Sequence, residues 1–243
     1  NITWSTDLQC FQEAELVIET IVENMQEKKA FWKKISPIVK DDCILTSNTS
    51  GLSISDMSSA VEKPGRFAGM HWVNPPHIVP LVEIISGEKT DEATAETVAA
   101  IAKSVGKVPV LVQKDAKGFI LNRIQFAVLR EAMHIVENGI AQKEDVDNVL
   151  KYGLGMRYAC LGPFEIADIG GLDTFYNVAS YLFADLCDRK DVSNLLTDPC
   201  KRGEFGVKSE KGFYDYAQGK ASQVIEKRDK DFLRIADVLY REL

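Results

Sequence analysis

His71 and Glu83 are the residues that could do chemistry, because both stand inside the apolar run GMHWVNPPHIVPLVEII, Gly69 to Ile85. Apolar runs build core strands, and an imidazole or a carboxylate within one needs a partner or a task. The two residues lie on strand candidates, RFAGMHWV and VPLVEII, with Asn-Pro-Pro as the break between them. If those strands are neighbours, the side chains meet. A carboxylate beside an imidazole orients the ring, fixes its tautomer and stabilises the imidazolium. A general base that takes a proton from an alcohol near neutral pH needs that arrangement. Spacing alone leaves a plainer reading open: a packed core histidine and a glutamate at a strand end.

Two other stretches carry polar groups where a ligand could sit. SNTSGL, Ser47 to Leu52, follows the strand-like CILT. Open α/β sheets bind ligands at the carboxyl ends of their strands. Thr49 and Ser50 can donate to an oxygen or accept from an alcohol, although a turn or helix cap needs the same residue types. KGFILNR, Lys117 to Arg123, puts Asn122 at the start of a long helical pattern. There it either leans into a cleft or faces water.

These residues need a scaffold. ELVIETI (Glu15 to Ile21) reads as a buried strand, and ENMQEKKAFWKKI as a helix through Met25, Phe31, Trp32 and Ile35. CILT, the two strands around Asn-Pro-Pro, and VPVLV (Val108 to Val112) supply further strands. Between the last two lies TDEATAETVAAIAKSVGK, a helix with Thr90 or Asp91 as cap and Gly106 as stop. Alternating strands and helices imply an α/β layer with a mainly parallel sheet. After the linker KDAKG the pattern turns helical: Phe119 to Asn138, then roughly 142–152, 164–188 and 221–243, with one short strand at GFYDY, Gly212 to Tyr216.

Bulk properties exclude several classes. With 243 residues the chain has room for a real core, in one large or two smaller domains. A net charge of -7 disfavours nucleic acid and anionic membranes as partners. No apolar run approaches the ~20 residues of a membrane-spanning helix. The five cysteines are scattered, without a CxxC, and are expected as reduced, buried thiols in a cytoplasmic compartment. His71 and His77 have no third ligand nearby, so no metal site is expected.

In their order, VIETIVENMQEKKAFWKKI, SNTSGLSI, RFAGMHWVNP, LVEII, KGFILNR, GPFEIADIGGLD and KGFYDY resemble the L-3-hydroxyacyl-CoA dehydrogenase family over nearly the whole chain. The resemblance implies an α/β, partial Rossmann (doubly wound) NAD-binding domain over residues 1–115. A mostly α-helical domain over 116–243 would complete the active site and form a homodimer. The cofactor implied is NAD, and the substrate an L-3-hydroxyacyl-CoA. By the same resemblance His71 is the acid/base, Glu83 orients it, Ser50 touches substrate and nicotinamide, and Asn122 binds the reacting oxygen. Glu23, Lys28, Asn74 and Lys208 match cofactor contacts.

The chain departs from the family pattern in three places, one of them RYACLGPFEIADIGGLD, where Arg157, Tyr158 and Cys160 would reshape the pocket. HWVNPPHIVPLVE carries Pro75, Pro76 and Pro80, as in relatives that oxidise L-gulonate or carnitine, so a non-CoA hydroxy acid is the alternative substrate. The family's first strand and glycine-rich loop, about two βα units, have no counterpart here. The expectation is a portion of a longer chain that binds NAD weakly when isolated. A non-catalytic scaffold that kept the same fold is the alternative of another class.

Overall fold

The computed structural model describes residues 2–240. Residues up to Ile124 form one compact unit, and those from Gln125 onward a second.

The first unit is built on a five-stranded sheet. Its strands β1 (Leu16–Glu19), β2 (Ile44–Ser47), β3 (Phe67–Trp72), β4 (Leu81–Ile85) and β5 (Val108–Val112) lie side by side in sequence order. β1, β2 and β3 are parallel, β3 and β4 antiparallel, and β4 and β5 parallel. Connection length explains the exception. A parallel return needs a crossover of a dozen or more residues, and residues 73–80 are too few. α1 (Met25–Ile35) makes the crossover from β1 to β2, α2 (Ile54–Ser58) lies between β2 and β3, and α3 (Glu92–Ser104) joins β4 to β5.

Local signals account for the helices. Asn24 Oδ1 accepts from the Gln26 and Glu27 N–H groups at the start of α1. Such a cap contributes about 1 kcal/mol. Asp91 sits at the cap position of α3 without a side-chain cap bond. Thr90 instead bridges Gly87 N and Phe67 O. Gly106, at φ 73°, follows the end of that helix.

Side-chain alternation divides the core in two. Ala68, Met70, Val82 and Ile84 pack with Ala95, Val98 and Ala102 of α3. Phe67 and Ile85, on the opposite face, join Trp32 and Ile35 of α1 and Ile54 and Met57 of α2. By the two-residue period, His71 and Glu83 belong to that second face. Gly69 lies between Phe67 and His71 on it. A Cβ there would come within 2.9 Å of Ile85 and 3.0 Å of Ile54, so glycine lets α2 lie close beside the histidine.

α4 (Leu121–Glu137) starts in the first unit and continues into the second. The second unit adds α5 (Lys143–Val149), a π-helical turn at Leu150–Leu154, and α6 (Gly155–Tyr158). α7 (Pro163–Gly170), α8 (Leu172–Leu182), α9 (Asn194–Lys201) and α10 (Lys220–Leu239) complete it. The helix expected over 164–188 is thus two helices, parted at Gly171 with φ 90°. α9 lies where the sequence pattern indicated no element. GFYDY is not a strand. It is a looped segment with isolated bridges pairing Lys211 with Gly206 and with Asp215. The cysteines are all free, but Cys10, Cys160 and Cys200 are exposed and only Cys43 is buried, which corrects the expectation of buried thiols. No helix among the described residues is long and apolar enough to cross a membrane.

Candidate active site

His71 and Glu83 are direct cross-strand partners in the β3–β4 pair. The antiparallel register therefore brings together two side chains that sequence spacing could only suggest. His71 Nδ1 lies 2.8 Å from Glu83 Oε2, and both side chains are almost fully buried. A carboxylate at Nδ1 favours the tautomer with its proton there, leaving Nε2 bare. The Phe119 ring stands 5.7 Å from the imidazole, centroid to centroid.

Glu83 has a second task. Its Oε1 accepts from the N–H groups of Ile120 and Leu121, each at 2.9 Å. These are donors at the entry of α4 that no intrahelical carbonyl satisfies. One carboxylate thus holds the imidazole with one oxygen and caps the helix bearing Asn122 with the other. Burial pushes the Glu83 carboxyl up. The bonds from His71 and from the two backbone N–H groups outweigh it, and the group is held below the usual carboxylate value.

Ser50 and Asn122 are also brought together. Asn122 Nδ2 donates to Ser50 O at 2.6 Å. The approach is close: a Cβ on Gly51 would lie 3.3 Å from Gly118 N, and Gly118 itself has φ 77°. Asp115 Oδ2 accepts from Ser53 Oγ and Ser55 N, holding the segment after the Ser50 loop against the chain that leads to α4. On the other side of the loop, Asn48 Oδ1 accepts from Trp72 N, next to His71.

The cofactor candidates divide. Glu23, 45% exposed in its side chain, accepts from Thr49 Oγ1 at 2.6 Å and from Ser50 N at 2.8 Å. Asn74 is exposed two residues past β3. Glu23, Ser50 and Asn74 all follow the carboxyl ends of parallel strands, where a doubly wound sheet takes a dinucleotide. A carboxylate for ribose hydroxyls and an amide for a carboxamide fit NAD. Lys28 is different. Its ammonium is buried, 2.6 Å from Glu19 Oε1 and 3.4 Å from Glu23 Oε2, and so is engaged by the protein itself. Lys208 belongs to the second unit, where its Nζ lies over the Phe205 ring.

Sequence reasoning missed Glu19, Asn48, Asp115 and Phe119. Glu19 left a signal: like His71 and Glu83, it is an ionisable residue inside an apolar run.

The chain matches known proteins over most of its length. Residues 1–116 match the family model of the 3-hydroxyacyl-CoA dehydrogenase NAD binding domain, and residues 118–216 that of the C-terminal domain. A probable 3-hydroxybutyryl-CoA dehydrogenase of Deinococcus radiodurans is 41% identical over 216 residues, 88% of this chain and 76% of that protein. A 5-formyl-3-hydroxy-2-methylpyridine 4-carboxylate 5-dehydrogenase of Mesorhizobium japonicum is 37% identical over 226 residues, 93% of this chain and 73% of that protein. A crystal structure of an enzyme of that activity, described as an NAD+-dependent dismutase, superposes with a TM-score of 0.94 at 36% identity. It covers 97% of this chain and 76% of that one.

Proposed function

The chain belongs to the 3-hydroxyacyl-CoA dehydrogenase family of NAD-dependent oxidoreductases, and from that premise we propose that His71 is its acid/base, oriented by Glu83. The observation that carries this reading is the buried 2.8 Å contact between His71 Nδ1 and Glu83 Oε2. The chemistry that NAD would supply when bound is an acceptor for the substrate's hydride. The protein manages the proton and the geometry.

In the oxidative direction, Nε2 of His71 takes the hydroxyl proton and the imidazole becomes an imidazolium. Glu83 stabilises that charge from the Nδ1 side. In the reductive direction, the imidazolium returns the proton to the developing alkoxide. Help of this kind is typically worth ~10²–10⁴-fold in rate. Asn122 and Ser50 serve the reacting oxygen, their positions tied by the bond from Asn122 Nδ2 to Ser50 O. Glu23 and Asn74 would hold the cofactor, with Lys28 paired to Glu23. The assignment of Lys208 to the cofactor rests on the sequence resemblance.

The substrate proposed first is an L-3-hydroxyacyl-CoA, oxidised to the 3-ketoacyl-CoA. A second reading is favoured by the superposition on the pyridine-carboxylate dehydrogenase and by Pro75, Pro76 and Pro80: a hydroxy acid or aldehyde without CoA. NADH oxidation by the full-length protein separates the two. Turnover of acetoacetyl-CoA supports the first. Turnover confined to small carbonyl acids, with acetoacetyl-CoA inert, replaces it with the second.

A homodimer through the helical unit is also proposed. Phe164, Ile169, Tyr176 and Phe183 are each more than 70% exposed there, and apolar exposure on that scale marks an association surface. Three exposed free thiols suit a reducing compartment such as the cytoplasm.

A further inference from the structure

Next to Glu23 lies a buried charge cluster in which Glu19 has no role in the proton chemistry or the cofactor contacts. Glu19 ends β1, faces Ser47 of β2 in the sheet register, and is 2% exposed. Its Oε2 accepts from Ser47 Oγ at 2.5 Å. Its Oε1 accepts from Ile21 N at 2.7 Å and from Lys28 Nζ at 2.6 Å. Lys28 also donates to Ile21 O at 3.3 Å. Beyond Glu19, the carboxylate facing this ammonium is Glu23, at 3.4 Å. The free oxygen of Glu23 holds Thr49 Oγ1 and Ser50 N, and Ser50 O receives Asn122. A continuous line of polar contacts thus runs from the buried Glu19 to Asn122 at the head of α4.

We infer that Glu19 is a positioning residue. By neutralising Lys28 it leaves Glu23 free to hold the Ser50 loop, and through that loop it sets Ser50 and Asn122 in place. This deepens the proposed function and rests on its assignment of Ser50 and Asn122 to the reacting oxygen. The physical argument is charge balance. A buried ammonium must keep a carboxylate partner. Without the Glu19 charge, Lys28 draws Glu23 inward as its counter-ion. Glu23 Oε2 then closes from 3.4 Å towards hydrogen-bonding distance of the ammonium, and Oε1 on the same rigid carboxylate is pulled off Thr49 and the Ser50 amide. The effect would travel without any change in the His71–Glu83 pair, which lies on β3 and β4.

Amide hydrogen exchange of the full-length protein tests this, comparing wild type with Glu19→Gln. Ser50 is exposed, and its amide is bonded to Glu23 Oε1. Its protection therefore reads that bond and not the global fold. In Glu19→Gln the Ser50 amide is expected to exchange about tenfold faster, the loss of roughly one charge-assisted hydrogen bond, while Met70 of β3 keeps its wild-type rate. Unchanged protection at Ser50 overturns the inference. If Glu19→Gln does not fold, Glu19→Gln/Lys28→Gln carries the converse test, since it leaves no unpaired buried charge. With no ammonium left to draw Glu23 inward, that variant is expected to keep wild-type Ser50 exchange, and faster exchange overturns the inference. Steady-state kinetics reads the assignment underneath. Lost protection with a lowered kcat and an unchanged KM for the carbonyl substrate supports both. Lost protection with wild-type kcat upholds Glu19 as the organiser of the loop and removes Ser50 from the reaction.

Discussion

The two units of this chain treat apolar and polar groups in opposite ways. In the sheet unit, Trp32, Phe67, Leu45 and Ile84 are fully buried, and so are charged groups such as Glu19, Lys28 and Glu83. Each of those charges has a close partner. Among the described residues of the helical unit no helix buries a side chain completely, while Phe164, Tyr176 and Phe183 stand open. The sheet unit has a core of its own, dense enough to hold ionised groups in fixed geometry. The helical unit is amphipathic elements with apolar faces left over. The difference teaches where the chemistry can reside. A proton-transfer pair needs the first kind of environment, and an association surface the second.

The largest effect is expected from removing the imidazole. His71→Gln should lower kcat by about 10²–10⁴-fold with NADH affinity unchanged, as stopped-flow turnover and fluorescence titration would report. A loss below tenfold would place the acid/base elsewhere and erase the functional half of the contrast.

Glu83→Gln should act on both rate and stability. An amide cannot accept with its NH₂ group, so either His71 Nδ1–H or the two amides at the head of α4 lose their acceptor. The expected destabilisation is about 2–4 kcal/mol, measured by urea unfolding. The acid dependence follows from the lowered Glu83 carboxyl. A carboxyl whose folded value is depressed stabilises fully above its unfolded value, about 4.3 for glutamate. That stabilisation is lost as pH falls through the lower folded value. The Gln variant should therefore show a shallower fall in stability across that acid window than the wild type.

The helical unit supplies the converse test. Phe164→Asp puts a charge on the exposed apolar face without touching a buried group. It should shift sedimentation from dimer towards monomer and leave the His71 environment unaltered. Unchanged sedimentation would remove this face from any interface. The smallest effect is expected on α10, where Lys230 pairs with Glu226 in the open. Lys230→Ala should change stability by no more than about 0.5 kcal/mol, and a larger change would mean that the pair is covered.

Much of the sheet unit was legible because each strand carries its own punctuation. Asn-Pro-Pro forced a short connection, and a short connection forces antiparallel neighbours, which made the His71–Glu83 encounter foreseeable. The contact of Asn122 with Ser50, and the capping of α4 by Glu83, were not legible. They join segments far apart in sequence through side-chain-to-backbone bonds that no local pattern encodes. Glu19 was passed over because a glutamate ending a strand ordinarily faces water; its place inside an apolar run was the signal, and the register with Ser47 goes with its burial. In the helical unit the aromatic alternation of GFYDY imitated a strand, and continuous helical periodicity concealed the break at Gly171. Where little is buried, periodicity has less packing to report.

The account depends most on the protonation geometry of His71, and ¹⁵N-edited NMR of its ring reads this directly at neutral pH in the wild-type protein. The account predicts the neutral tautomer with Nδ1 carrying the proton, bonded to Glu83, and Nε2 bare and ready to accept. A spectrum with the proton on Nε2 and Nδ1 bare would contradict it, because the one nitrogen able to accept a proton would then be the one turned to Glu83.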